Sequence, residues 1–433
     1  MILASIRSLQ EVYSSRIELK LDEFSRCMST RGTDDGVYDW FPMVQRFTRD
    51  FLAKLFSREK IEGNATVLDP FLGSGNVLIT CLERGLKGWG IEASPLFWFI
   101  SHVKTSQFKK RDFDDAIALV RFTSTKGSPS LKPSDIPTLS SFARLFEKRR
   151  FHNLLRLREE AMTLNQGAKE LLLFALASEL LSFSHAERNG KGLHLRMGKR
   201  ALSPRKVLLR KLEKMKNDYE EIAKKISKFE CYPLRGDSRD FSTIVNPTKP
   251  GKIGLPFDNV DFVVSSPPYC NSADYIEMYK LEHWFLNFVR TYDEFKELSY
   301  ETIRSHCTFP CGCSIEKTQE VIEDICSKLN GLRDKKVPQM IRGYFDDMHS
   351  VLTQIRGVLR PEGKVFLVIG NSCYGGIPLP TDLLLADIAR NLGFQVEKIT
   401  VLRQMMTSGQ QWKIIDFESK RFLRESVLTL RSC

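Results

Sequence analysis

Ser266-Pro267-Pro268-Tyr269 ends the apolar run Val260-Asp261-Phe262-Val263-Val264-Ser265, and its residue types suit chemistry on a planar ring. Prolines neither continue a helix nor donate to a sheet ladder, so the backbone there is stiff and its carbonyls point outward. A serine hydroxyl, fixed carbonyl acceptors and a flat aromatic face would together hold a nucleobase by its exocyclic amine. The bland alternative is an ordinary Pro-Pro turn after a buried strand, which the tetrapeptide alone does not exclude.

A second constellation bears on the choice. Asp69-Pro70-Phe71-Leu72-Gly73-Ser74-Gly75 follows the short apolar run Ala65-Thr66-Val67-Leu68, and Glu92 closes the next apolar run. Glycines where a strand turns into a helix let a ligand approach the main chain, and an acid about 20 residues on can grip ribose hydroxyls. Position 78 is Leu, so the pyrophosphate form G-x-G-x-x-G is incomplete. That favours a nucleoside cofactor without pyrophosphate, such as S-adenosylmethionine, over NAD.

These loops need a doubly wound parallel sheet to hold them. Ala65–Leu68, a helix from about Asn76 to Arg84, and Gly88–Ile91 give its opening strand–loop–helix–strand unit. Residues 1 to 60 read as mainly helical. Periodicity predicts helices over roughly 141–181 and 204–229, separated by a basic glycine-broken loop, Arg188 to Arg196. Lys364–Ile369 reads as a central strand, and Phe394–Leu402 with Ser426–Leu430 as an antiparallel edge pair. The expected organisation is α/β: a Rossmann-like catalytic domain in two parts, 1–104 and 231–433, split by a basic helical insertion at 105–230. A smaller insertion is expected at about 287–338.

With those residues in view, the chain resembles the amino-methyltransferases of DNA, which methylate cytosine N4 or adenine N6. Phe71-Leu72-Gly73-Ser74-Gly75 matches that family's F-x-G-x-G cofactor loop, and Ser266-Pro267-Pro268-Tyr269 its [DNS]-P-P-[YFW] base-holding loop. Gly236-Asp237-Ser238-Arg239 is similar to the motif whose acid lies beside the cofactor adenine. Phe41-Pro42 is similar to the motif closing over the methionine end, and Arg424 to Arg431 to the closing strand. The resemblance implies a Rossmann-like S-adenosylmethionine-dependent methyltransferase. Its cofactor-binding residues would be Phe41, Asp69, Phe71, Gly73, Gly75, Glu92 and Asp237; its catalytic residues Ser266, Pro267, Pro268 and Tyr269. The order of motifs is like that of the alpha group, whose recognition region lies between the two loops. Serine in first place points to cytosine N4. An adenine-N6 enzyme, an RNA guanine-N2 enzyme and an inactive DNA-binding protein of the same fold are the alternatives.

Charge agrees with a polyanionic partner. Residues 105–230 hold 27 Lys/Arg against 15 Asp/Glu, which is the whole excess of +12 in the 433-residue chain. That locates a candidate surface for double-stranded DNA, with Arg188, Asn189, Lys191 and Arg196 as candidate contacts. The alternative is a solvated helical face. Asn271, Asp274, Tyr275 and Glu277 either line the base pocket or cap the following helix. His306, Cys307, Cys311 and Cys313 lack the paired C-x-x-C spacing of a zinc site, so they are read as free thiols and no metal is expected. Pro310-Cys311 lacks the surroundings of a cytosine-C5 nucleophile. Ten cysteines scattered through a long chain, no apolar run of membrane length and no secretory leader suggest a reduced, cytoplasmic protein with no membrane partner. A cognate restriction endonuclease is the expected companion.

Overall fold

Eight strands form one sheet in the computed structural model, which describes residues 3–24, 35–123, 145–189, 192–196, 198, 200–226, 228–245, 254–257, 259–271, 273–307, 320–331, 336–406 and 409–433. The strands in chain order are β1 (Ile17–Leu19), β2 (Thr66–Asp69), β3 (Lys87–Glu92), β4 (Ala186–Asn189), β5 (Gly192–Leu195) and β6 (Cys231–Arg235). They continue with β7 (Val260–Ser265), β8 (Leu359–Gly370), β9 (Ser372–Tyr374), β10 (Ile377–Leu379), β11 (Phe394–Gln404) and β12 (Arg424–Ser432). The main sheet runs β1-β11-β12-β8-β7-β2-β3-β6, while β4–β5 and β9–β10 form separate antiparallel pairs. From β6 to β8 the neighbours are parallel; β12 then runs antiparallel to both β8 and β11.

The sequence explains the central strands. β2 is buried at every position, as a continuous apolar run in a sheet covered on both faces must be. Along β8 the pleat sends Val365, Leu367 and Ile369 into one core and Phe366 and Val368 into the other. Helices Lys110–Phe122, Lys148–Ala161, Gln166–Glu179 and Pro204–Ile226 lie in sequence between β3 and β6. Their Phe113, Leu154, Leu172 and Leu212 join the core of the Phe366 face. Helices Val337–Val358 and Thr381–Asn391 cover the opposite face.

Two local expectations are corrected. β11 is not the sheet edge, because β1 pairs parallel with it through Ile17, Glu18 and Leu19; a three-residue strand leaves too little periodicity to read. The basic segment expected as a loop is the β4–β5 hairpin, with Arg188 opposite Leu193 and Glu187 opposite His194. Asn189-Gly190, a strong hairpin signal, was the available cue.

Candidate active site

The sheet changes direction of growth between β2 and β7, and the two loops of interest leave the C-terminal ends of those strands. Ligands of open α/β sheets bind at such a crevice. Asp69 joins the two loops: its buried carboxylate accepts from Ser265 Oγ at 2.6 Å and from the Phe71 N–H at 3.0 Å. Burial pushes the Asp69 carboxyl up to about 7, against the pull of those two hydrogen bonds. Because the folded value lies above the ordinary one, the folded state loses stability as pH rises from about 4 to about 7 and no further above that. Asp69→Asn should therefore have a melting temperature that gains on the wild type across that window and stays level beyond it, measured by thermal unfolding. A gap independent of pH would refute the account.

The glycine loop is held from both sides. Gly75 has φ 78°, and a Cβ there would sit 2.8 Å from the Ser101 Cβ, so its bare backbone packs on helix Pro95–Thr105. Behind the loop, the buried Lys104 ammonium donates to the Ser74 carbonyl at 2.8 Å and to Asn76 Oδ1 at 2.6 Å. In front, Glu92 accepts from the Gly73 and Ser94 N–H groups, both at 2.8 Å. Burial raises the Glu92 carboxyl, and these backbone bonds act against that rise.

One cleft connects the two loops. Its lining includes Phe71, Gly73 and Glu92 on one side and Ser266, Pro267, Pro268 and Tyr269 on the other, with Asp237 and Ser238 beyond. The empty space is about 860 Å³, open solvent included, enough for nucleoside-sized ligands. A nucleoside cofactor suits the Glu92 half: a carboxylate for hydroxyls, Phe71 and Ile91 for an apolar base, and a glycine where the backbone is approached. A Cβ on Gly73 would already lie 3.0 Å from Met43 Cε.

The catalytic-loop residues have defined partners. Ser266 Oγ donates to the Val368 carbonyl of β8 at 3.2 Å. Tyr269 is 7% exposed and its hydroxyl donates to Glu425 Oε1 of β12 at 2.6 Å. Burial, and then the Glu425 charge, push the Tyr269 phenol well above its usual range. Of the residues after the loop, Asp274 caps helix Tyr275–Met278 through the Glu277 N–H at 3.0 Å, while Tyr275 lines the cleft. Asn271 accepts from the Ala273 N–H at 3.0 Å.

Several expected ligand residues occupy other places. Phe41 is 1% exposed and packs between Phe174 and Tyr279, so Met43 and Gln45 of the same segment face the cleft instead. Asp69 and Gly75 build the loop from beneath. Asp237 reaches the cleft with its carboxylate gripped by Arg239, at 2.6 Å from Nη2 to Oδ2. Arg188 is the clearest correction. Its side chain is 7% exposed, donates to Glu282 Oε1 at 2.7 Å and lies 3.8 Å over the Tyr279 ring. A guanidinium so enclosed does not meet phosphates. Arg188→Ala would leave the buried Glu282 carboxylate unpaired, at a cost of about 3–5 kcal/mol. The expected result is a lower melting temperature with an unchanged salt dependence of DNA binding; a changed salt slope at wild-type stability would reverse the assignment. Arg196 is exposed and pairs with Glu187 at 2.9 Å. Asn189 ends β4, its side chain is outside the described set, and Lys191 lies outside the described residues.

Sequence reasoning missed the far wall of the cleft, formed by Glu301, Thr302, Ile303, Ser305 and His306. Asp347 anchors this wall, accepting from the Arg304 N–H at 2.8 Å and from Arg304 Nη2 at 2.6 Å. No local pattern marks such a wall. His306 Nδ1 stands 3.4 Å from Asp274 Oδ2. Among the described residues no cluster of three His, Cys, Asp or Glu is placed to hold a metal, and Cys311 and Cys313 lie outside them. Among the described residues no helix is long and apolar enough to cross a membrane.

Numbered along the chain, the seven strands β2, β3, β6, β7, β8, β11 and β12 stand in the order 3-2-1-4-5-7-6 with the seventh reversed. With its glycine loop, this is the Rossmann-like sheet of S-adenosylmethionine-dependent methyltransferases. The chain is 29% identical to the Type II methyltransferase M.AvaI of Nostoc sp., over 86% of this chain and 84% of that protein. It is 23% identical to the Type II methyltransferase M.BsoBI of Geobacillus stearothermophilus, over 87% and 82%. Identity to the Type II methyltransferase M.MvaI of Kocuria varians is 22%, over 80% and 78%. Its homologues are thus Type II methyltransferases. No protein-family profile matches the chain. The rRNA methyltransferase aviRa from Streptomyces viridochromogenes overlaps it at 11% identity and a TM-score of 0.32, over 94% of this chain and 92% of that one.

Proposed function

We propose that this protein transfers a methyl group from S-adenosylmethionine to the exocyclic N4 amine of cytosine in double-stranded DNA, as the modification half of a restriction–modification pair. The observation that carries this reading is the single cleft joining Gly73 and Glu92 to Ser266–Tyr269. Relatives that are Type II methyltransferases support it.

Gly73 and Glu92 would hold the cofactor's ribose side, Phe71 its base, and Asp237 would stand beside the adenine. When bound, the cofactor supplies an electrophilic methyl group on a positively charged sulfur. The chain's own residues prepare the nucleophile. An exocyclic amine is a poor nucleophile because its lone pair is delocalised into the ring. Accepting both of its hydrogens draws the nitrogen toward tetrahedral geometry and aims the lone pair at the methyl carbon. Ser266 suits this task, since its own proton is given to Val368 and its lone pairs remain for the amine. The Pro267 carbonyl is the second acceptor. Tyr269 presents its ring to a base flipped out of the duplex. Acceleration comes from positioning and electrostatics.

The β4–β5 hairpin sits beside this site, because Arg188 Nε donates to the Met278 carbonyl at the end of the helix carrying Tyr275. A two-stranded ribbon fits a major groove, so the hairpin with Asn189, Lys191 and Arg196 is the proposed reader of sequence, backed by the basic helices around it. The deciding experiment is methylation of unmodified genomic DNA by the purified protein, followed by nucleoside mass analysis. N4-methylcytosine is expected. N6-methyladenine alone would overturn the choice of base, and absence of methyl transfer together with failure to bind S-adenosylmethionine would overturn the enzyme reading.

A further inference from the structure

We propose that Asp347 is a positioning residue for the cofactor's adenine: through Arg239 it fixes Asp237, the acid that takes the adenine's 6-amino group. This rests on the cofactor site proposed above, with Asp237 beside the adenine.

Asp237 is gripped by a single neighbour. Its Oδ1 accepts from the Arg239 N–H at 2.8 Å and from Arg239 Nε at 3.0 Å, and its Oδ2 accepts from Arg239 Nη2 at 2.6 Å. The carboxylate is thereby held against rotation, yet its side chain is 32% exposed and lines the cleft. Arg239 is pinned in turn. Its Nη1 lies 3.4 Å from both Asp347 oxygens, and its Nη2 donates to the Glu301 carbonyl at 3.1 Å. Where the acid points is therefore set by where Asp347 and the wall hold the arginine.

Asp347 belongs to helix Val337–Val358 and is 3% exposed. The same carboxylate that holds Arg239 also holds the wall. Its Oδ2 accepts from the Arg304 N–H at 2.8 Å, and its Oδ1 from Arg304 Nε at 3.0 Å and Nη2 at 2.6 Å. Arg304 Nη2 also reaches Asp346 Oδ2 at 2.8 Å. One turn earlier on the same helix face, a Cβ at Gly343 would lie 2.8 Å from Arg304 Cδ. The bare backbone there gives the Arg304 stem its seat.

Charges thus alternate through Asp237, Arg239, Asp347, Arg304 and Asp346. Losing the middle charge would leave two guanidiniums at one site with no anion between them, and such uncompensated charges are costly. Arg239 would move away from Arg304 and carry the Asp237 carboxylate with it. A carboxylate fixed beforehand binds an amine without first losing side-chain freedom, so the misplacement should show in the recognition of that amine.

The test is calorimetric and needs no turnover. S-adenosylhomocysteine is compared with its analogue carrying hydrogen in place of the 6-amino group. The wild type should bind the amino form about 10- to 100-fold more tightly, the range expected of a hydrogen bond to a charged group. In Asp347→Asn, which keeps the shape and removes the charge, that preference should fall to about 3-fold or less. Should Asp347→Asn fail to fold, Arg239→Lys breaks the fork with the charge kept and should lose the same preference. An undiminished preference in the variant, or an equal loss of affinity for both ligands, would overturn the proposal. A wild type that binds both ligands alike would overturn it too. A wild type that binds neither would instead overturn the cofactor reading on which it rests.

Discussion

Ser266→Ala should lower the single-turnover rate of methyl transfer by about 10²–10³-fold while leaving affinity for S-adenosylmethionine intact. The hydroxyl sits at the exit of β7 and the cofactor grips sit at the exits of β2 and β3, on the other side of the cleft. Removing one oxygen there withdraws an acceptor from the amine and leaves Gly73, Glu92 and their hydrogen bonds in place. The partner lost within the protein is the Val368 carbonyl, at a long 3.2 Å. A net contribution near 1 kcal/mol is ordinary for such a bond, so the fold should survive. An acceptor that acts only as the amine changes geometry affects kcat more than binding. Labelled-methyl incorporation gives the rate, and calorimetry gives the affinity. A Ser266→Ala protein working at the wild-type rate would refute the role of that hydroxyl.

The loops that carry this prediction were legible because their signals are local. Two prolines after an apolar run, or two glycines between a strand and a helix, state their geometry within seven residues. What escaped was settled by contacts distant in sequence. Arg188 looked like a free cation in a basic stretch, and only the fold reveals Glu282 and Tyr279, some 90 residues on, as its partners. Phe41 sits next to a segment that does face the cleft, yet its own ring turns inward to Phe174 and Tyr279. The wall at 301–306 depends on Asp347, a residue of another helix with no motif around it. Glu425 lay inside a stretch matched to a closing strand, so it was read as sheet. Its bond to Tyr269 spans 156 positions. Strand-end chemistry is thus readable from sequence when one loop supplies it, and hidden when two strands share it.

Gly370→Ala tests that shared chemistry from the opposite strand, and it should be among the most damaging small substitutions in the protein. The added Cβ would lie 2.5 Å from both Cδ2 and Cε2 of Tyr269 and 3.2 Å from Met405 Sδ. Real carbon contacts lie at about 3.5–4.0 Å, so the ring must move by more than an ångström or β8 must bend. Neither is free to yield. The ring is buried and tied to Glu425, and β8 is paired on both sides, to β7 and to β12. The tyrosine is displaced from the base and from its hydrogen bond to Glu425 together, so the stacking face fails. A misplacement of about 1 Å can cost about 10²-fold in rate, and the loss here should be at least that. Cofactor affinity should be preserved, because the Gly73–Glu92 half lies across the cleft. Measuring that affinity alongside single-turnover methylation separates a local defect from general unfolding. Near-wild-type rates in Gly370→Ala would mean that the Tyr269 ring is not held as the structure places it.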